Sequence, residues 1–514
     1  MRDDQAEILA FLGDGASYPG APARVERIDT HSASVFLAGD RAYKVKRAVR
    51  YDYLDFSTLE RRRDACHAEV RLNLRSAPDL YLGVQAVCRA PGGTLSLGGA
   101  GEPVEWLVVM RRFREADVLD RLAARGELPL ALMPVVAEAV AHLHRTAEPR
   151  PDHGGRAGLA WVLDGNAAAL ADTDGVLDAA ACRALAAASR AALERVGPLL
   201  EARRRAGRVR QCHGDLHLRN LVLLDGRPTP FDAVEFNDAL AAVDVLYDLA
   251  FLLMDLLARG LAGHANLVCN RYLEMTGDVA GLRAMPLFLS ARAAIRAKTS
   301  LAAARLQAAP ERVPELHARA RQYLDLARTL LEPRPARLVA IGGYSGAGKS
   351  TLARAVAPTL GPAPGAVVIR SDAERKRLLG HAPDERLERA AYAPSVTARV
   401  YDRLCARAAD VLAAGYAAVA DATFLAPAWR ERIAAAAARA GVPFTGFWLE
   451  AAPETLLARV ARRRDDVSDA TVDVVHAQLA STPGRIAWRR LDARGDARAL
   501  ASEAAALLQD EVPS

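Results

Sequence analysis

The sequence predicts two domains of different class. Residues 1–333 read as an α+β domain with a sheet lobe (1–113) followed by a helical lobe (114–333). Residues 336–514 read as an α/β domain on a parallel sheet. Three observations carry this. Gly343-Tyr344-Ser345-Gly346-Ala347-Gly348-Lys349-Ser350 fits G-x-x-x-x-G-K-[ST] at every position, between an apolar β-prone run and a helical one. Glu332-Pro333-Arg334-Pro335 interrupts the helical pattern just before it. Before that break, short β-prone runs give way to long helical ones; after it, strand and helix alternate.

Composition bounds the function. At 514 residues the chain is too long for one typical core. Hydrophobic residues make up 51% and charged ones 25%, as in ordinary globular proteins. The net charge of +6 is spread thinly and aromatics are only 5%, which argues against a nucleic-acid track. No apolar run approaches membrane-spanning length, and the acidic start MRDDQAEILAFLGDG is expected to be no secretory leader. The six cysteines (66, 88, 182, 212, 269, 405) form no C-x-x-C pair and read as reduced thiols of a cytoplasmic protein. Nothing in the sequence specifies an oligomeric state.

Taken in order, the β-prone runs of the sheet lobe are 34–37, 42–45, 81–87 and 106–110, with a charged helical stretch over 57–75 between the second and third. The helical lobe shows apolar periodicity over 131–145, 179–205, 239–259, 283–308 and 315–331. Past the proline pair the strands are expected at 337–343, 366–370, 417–420 and 444–449, with helices between and after them, including 426–440 and 453–464.

The chemistry of the glycine-rich stretch follows from its residue types. Gly343, Gly346 and Gly348 let the backbone N–H groups of Tyr344, Ser345, Ala347 and their neighbours turn inward around an anion. The helix opening at Lys349-Ser350-Thr351 adds the partial positive charge of its N-terminus. Lys349 is placed to reach the β/γ-phosphates, and the Ser350 hydroxyl to sit on Mg²⁺. The segment is thus expected to bind ATP with Mg²⁺.

A second constellation lies in the first domain. Residues 213–220 read His-Gly-Asp-Leu-His-Leu-Arg-Asn, followed by an apolar run, a turn at Asp225-Gly226, and Phe231-Asp232. Asp215 on a loop can accept a hydroxyl proton. Asn220 can turn back to a metal, and Asp232 can take the metal bridging the phosphates. This pattern, with Leu143-His144 before it and Asp248-Leu249-Ala250 after it, resembles the aminoglycoside phosphotransferase-like kinases, which share the protein-kinase fold. The resemblance covers most of residues 1–330. It implies a lysine for the α/β-phosphates on a strand of the sheet lobe, with Lys44 favoured and Lys46, two residues on and on the same face, as the rival. It further implies Glu69 as the lysine's ion-pair partner and 110–113 as the segment beside adenine. Thr30-His31-Ser32-Ala33-Ser34 stands where the family has a glycine-rich loop, and Asp232 is followed by Ala233-Val234-Glu235 rather than Phe-Gly. No acidic antibiotic-binding signature is present.

The second domain has three further marks. Two expected strands end in Asp, at Ser371-Asp372 and at Asp421. Arg459 and Arg463 fall one turn apart on a later helix. Together they resemble the small P-loop kinases that include polynucleotide 5′-kinase, gluconate kinase, chloramphenicol phosphotransferase and the zeta-toxin group. The resemblance implies a P-loop NTPase core of strand order 2-3-1-4-5. It also implies Asp372 as general base, Arg375 on the acceptor, Asp421 toward Mg²⁺, and Arg459 and Arg463 on a lid that neutralises the transferring phosphoryl.

The expected function is a fused pair of ATP-dependent kinases, each acting on a hydroxyl of a small molecule. Two rivals stay open: a single P-loop kinase with residues 1–333 as a binding or regulatory module, and a polynucleotide 5′-hydroxyl kinase.

Overall fold

The computed structural model describes residues 3–51, 54–307, 309–382, 385–462 and 471–509. Packing divides the chain into two compact units, residues 1–255 with 291–298 and residues 256–290 with 299–514. Residues 332–335, where the sequence suggests a linker, fall within the second of these units.

In the first unit six antiparallel strands form a sheet in the order Val25–Asp29, Ala33–Ala38, Arg41–Lys46, Glu102–Arg111, Tyr81–Arg89, Leu95–Leu97. Its two faces follow from the alternation of side chains along each strand. Tyr43 and Val45 pack with Phe36, Leu107 and the first helix's Ile8 and Leu12. Ala42 packs on the opposite face with Cys66, Tyr81 and Met110. Lys44 and Lys46 share the face of Ala42, which is covered by helix Leu59–Asn73. The expected strands and the inserted helix are all present. Val25–Asp29 is an addition: only its first residue is partly buried, so it carries no apolar alternation to read.

The helical part of this unit includes Met133–Thr146, Gly155–Ala171, Ala179–Arg205 and all but the last three residues of Val245–Ala258. The helix expected over 239–259 is interrupted. Ala242–Asp244 is a short strand paired with Val209–Gln211. Arg203 grips Asp244 through two bonds, at 2.7 and 2.8 Å, in the interior. The same carboxylate accepts from Leu246 N at 2.9 Å and so starts the helix at Val245.

The second unit is built on a five-stranded parallel sheet, in the order Val367–Arg370, Ala418–Asp421, Leu338–Gly343, Phe444–Glu450, Arg489–Asp492. Counted along the chain this is the order 2-3-1-4-5. The register places Arg370 and Ile341 on either side of Asp421, so these residues meet at the carboxyl end where α/β sheets bind ligands. Val339, Ile341, Leu352, Val356, Phe447 and Leu456 fill the core beneath. Helix Ala262–Thr276, which sequence periodicity did not single out, belongs to this unit and buries Ala265, Val268, Cys269 and Tyr272.

A prediction follows for the boundary. Residues 336–514 produced alone lack that helix and should aggregate or melt without cooperativity in size-exclusion and calorimetric measurements. A monomeric fragment with one sharp transition would show the helix to be dispensable.

Candidate active sites

The first unit assembles its site from a strand, a helix and a loop. Thr58 caps helix Leu59–Asn73, its Oγ1 accepting from Arg61 N at 3.3 Å, and the buried face of that helix carries Glu69. Glu69 has no exposed side-chain surface. Lys44 Nζ donates to Glu69 Oε1 at 2.9 Å and to Asp232 Oδ1 at 2.6 Å. Lys46, 2% exposed, donates to the other oxygen of Glu69 and to Glu235. Both lysines thus meet Glu69, while it is Lys44 that reaches Asp232. Burial works to lower both ammonium pKa values, but the surrounding carboxylates outweigh it and hold both above the ordinary range. Burial likewise works against ionisation of Glu69, and the two lysines outweigh it. At Glu235 burial wins and its pKa is raised.

The loop over 213–220 is held by Asp248, which has no exposed side-chain surface. Its Oδ1 accepts from Gly214 N at 2.8 Å; its Oδ2 accepts from His213 N at 3.2 Å and faces His144 Nε2 at 3.0 Å. Asp255 Oδ2 accepts from Leu218 N at 3.1 Å. Arg292 donates to Gly214 O at 3.2 Å and lies over the Tyr247 ring at 3.8 Å. His144, Cys212 and Asp248 stand close enough to hold a metal, but the Asp248 oxygens are already engaged by N–H groups, so the cluster acts as the loop's anchor.

On this loop Asn220 Nδ2 donates to Asp215 O at 2.9 Å and to Asp215 Oδ2 at 3.0 Å, which leaves the amide oxygen of Asn220 for a cation. His217 Nε2 lies 3.3 Å from the same Asp215 oxygen. Burial pushes Asp215 up, yet His217, His213 and Arg296 together hold it below the usual carboxylate range, so it is ionised at neutral pH. The turn Asp225-Gly226 has φ of 50° and 79°, the two positive values a tight hairpin needs, and joins Leu221–Leu224 to Arg227–Pro230. The hairpin returns the chain so that Phe231 N donates to Asn220 O at 3.0 Å. Asp232 follows at φ 62°, its N–H donating to the Tyr81 hydroxyl at 3.1 Å. Asn220 and Asp232 are hard oxygen donors of the kind Mg²⁺ takes. Where the family has a glycine-rich loop, Thr30 closes a plain hairpin, with Thr30 N donating to Ala33 O at 2.8 Å.

In the second unit the phosphate loop lines a cavity of about 600 Å³. Gly346 has φ 88°, and a Cβ there would fall 2.7 Å from Leu456 O. Gly348 (φ 92°) precedes helix Lys349–Val356. Ser350 Oγ donates to Asp421 Oδ2 at 2.5 Å, and Arg370 Nη2 lies 3.3 Å from Ser350 Oγ. The Ser350 hydroxyl and the Asp421 carboxylate fit Mg²⁺ by the same hard-oxygen chemistry. Lys349 Nζ donates to Tyr344 O at 2.9 Å. Asp372 and Arg375 belong to helix Ser371–Leu379, whose N-cap is Arg370 with no side-chain cap bond, so Asp372 is not the capping residue. Arg375, 6% exposed, donates to Ala391 O at 2.7 Å and lies over the Tyr392 ring at 4.6 Å.

Ser345 to Thr351, Asp372, Arg375, Asp421 and Arg459 all border this one cavity. Gly343 and Tyr344 do not: Gly343 ends the first strand, and Tyr344 packs edge-on against Trp448 at 6.0 Å. Arg463 lies outside the described residues. Sequence reasoning missed Arg370, Tyr392, Tyr401 and Gln478, which also line the cavity. Arg370 was discoverable as the last residue of a strand. Gln478 was not: its Oε1 accepts from Ser345 N at 2.9 Å only because helix Val472–Leu479 returns to the loop.

Comparison with known proteins adds the following. A model of an AAA domain family matches residues 338–484. The "Uncharacterized protein Rv2004c" of Mycobacterium tuberculosis is 31% identical over 475 residues, 91% of this chain and 92% of its own. The "Uncharacterized protein Mb2027c" of Mycobacterium bovis matches to the same extent. Among solved structures, a choline/ethanolamine kinase family protein from Mesorhizobium loti is 16% identical, covering 63% of this chain and 99% of that one, with a TM-score of 0.36. A gluconokinase from Sinorhizobium meliloti is 22% identical, covering 35% and 94%, with a TM-score of 0.24.

The lysine geometry makes a stability prediction. Lys46→Met leaves Glu235 without the cation it meets and Glu69 with one instead of two, at a cost of about 3–5 kcal/mol. Lys44→Met leaves Lys46 on Glu69 and should cost clearly less. Chemical denaturation of the two variants should order them this way; equal losses would contradict the assignment of Lys46 as the structural member.

Proposed function

We propose that this chain, which belongs to the family of the mycobacterial proteins just described, is an ATP-dependent phosphotransferase with two sites, each passing the γ-phosphoryl of ATP to a hydroxyl of a small molecule. One observation carries the reading. Each unit carries a carboxylate able to take a proton, a cation for phosphate oxygens, and paired oxygen donors for Mg²⁺. In the first unit these are Asp215, Lys44 held by Glu69, and Asn220 with Asp232. In the second they are Asp372, Lys349 with Arg459, and Ser350 with Asp421.

The chemistry asked of the residues is the same in both. The acceptor O–H gives its proton to the Asp oxygen as its own oxygen bonds to the γ-phosphorus, and the bond from that phosphorus to the β-phosphate oxygen breaks. Lys44 in the first unit, and Lys349 with Arg459 in the second, meet the charge spread over the phosphoryl oxygens; in the second unit the backbone N–H groups of the phosphate loop also hold the phosphates behind it. Mg²⁺, when bound, would neutralise charge between the β- and γ-phosphates. Arg375, fixed by Ala391 O and Tyr392, is suited to the far end of the acceptor. Small acceptors are favoured over nucleic acid because the chain's charge is thin and its aromatics are few.

Asp215→Asn and Asp372→Asn test this separately. In transfer assays with γ-labelled ATP and a panel of sugars, amino alcohols, nucleosides and RNA ends, each variant should lose one set of acceptors by about 10²–10⁴-fold. ATP affinity should change little. If Asp215→Asn alters no transfer, the first unit is a binding module and only the second site turns over. Efficient, salt-sensitive transfer to an RNA end would contradict the small-molecule reading.

A further inference from the structure

One edge of the parallel sheet is not open. Strand Val367–Arg370 pairs on one side with Ala418–Asp421 and is the last strand of its sheet. Ala366 O and Val368 N point to the other side, where a further strand would ordinarily meet them. Asn270 of helix Ala262–Thr276 meets them instead. Its Oδ1 accepts from Val368 N at 2.7 Å and its Nδ2 donates to Ala366 O at 3.1 Å. One residue of an added parallel strand opposite Val367 would make this same pair of bonds, to the carbonyl before it and the N–H after it. A side-chain amide has the planarity and polarity of a peptide group, so a helix can thereby close a sheet edge.

Asn266, one turn earlier and 4% exposed, supports the arrangement. Its Nδ2 donates to Pro364 O at 3.1 Å and to Ala366 O at 3.0 Å, and its Oδ1 accepts from Asn270 Nδ2 at 3.1 Å. The far end of the same helix makes a third tie, Glu274 O accepting from Arg377 Nη2 at 3.0 Å. Arg377 sits on helix Ser371–Leu379, which carries Asp372 and Arg375. Helix Ala262–Thr276 thus holds the strand that leads into Asp372 and the helix that follows it, all within the second unit.

We propose that Asn266 and Asn270 are positioning residues for phosphoryl transfer at the second site: by completing the edge strand they set where the Asp372 carboxylate stands relative to the phosphate loop. This rests on the reading of Asp372 as the proton acceptor. Misplacement by an ångström at such a site is enough to lose up to about 10²-fold in rate.

The test uses the full chain carrying Asp215→Asn to silence the first site, with water as the acceptor, so that slow hydrolysis of Mg·ATP is the readout. Asn270→Asp keeps the size and the acceptor for Val368 N but sets an oxygen against Ala366 O and Asn266 Oδ1; Asn266→Ala is the second variant. Both should raise hydrogen exchange at the Val368 amide by roughly tenfold or more and lower kcat on the order of tenfold. The KM for ATP should stay within about twofold, because the phosphate loop is untouched. Wild-type kcat in Asn270→Asp overturns the proposal, and so does a kcat loss that merely follows the drop in Tm. Asp372→Asn in the same background separates the two readings. If it hydrolyses ATP at the parent rate, the proton-acceptor assignment falls and this proposal with it. If it is slow while Asn270→Asp is not, only the positioning role falls.

Discussion

Glu69 is a carboxylate with no surface to water, and such a group stays ionised only with cations against it. Lys44 and Lys46 supply two, and the geometry of the first site follows from satisfying them in turn. With one N–H of each ammonium on Glu69, Lys44 also reaches Asp232 and Lys46 also reaches Glu235. Because Asp232 and Glu235 are three residues apart on one loop, the two lysines fix that loop at both ends against the sheet. The same logic repeats at Asp248. Its buried charge is met by the N–H groups of His213 and Gly214, which holds in place the loop that presents Asp215. The side chains of this site are positioned as a by-product of neutralising charges the fold has buried.

The second site depends on backbone register more than on buried charge. Parallel pairing sets Arg370, Asp421 and Ile341 level with one another, so the phosphate loop leaves the sheet beside the carboxylate that Ser350 meets at 2.5 Å. Glycine at 346 admits the loop close to Leu456 O. The side that carries Asp372 then rests on a single edge strand, and an edge strand is the part of a sheet least constrained by its own ladder. That is why the two asparagines of a helix far upstream in sequence bear on this site.

Much of this was legible from residues alone. The G-x-x-x-x-G-K-S stretch, the His-Gly-Asp motif and the strand-ending Asp421 announce themselves because their chemistry depends on local spacing. The sheet order also follows the small P-loop kinase pattern. What escaped has a physical reason in each case. Val25–Asp29 lies mostly in solvent and has no apolar alternation to show. Helix 239–259 breaks because Arg203, some forty residues earlier, captures Asp244. Lys44 and Lys46 could not be separated by spacing, since both share one face; only their different second partners tell them apart. Asn266 and Asn270 meet strand Val367–Arg370 from about a hundred residues upstream, a pairing that no local spacing shows.

The claim that the chain carries two phosphotransfer sites is tested most directly by how many nucleotides one chain binds. Isothermal titration of the intact protein with Mg²⁺ and a non-hydrolysable ATP analogue should give two per chain. Lys349→Met should remove one of these and Asp232→Asn should weaken the other. A stoichiometry of one in the unaltered protein, with Asp232→Asn silent, would contradict the account and leave the first unit without a nucleotide.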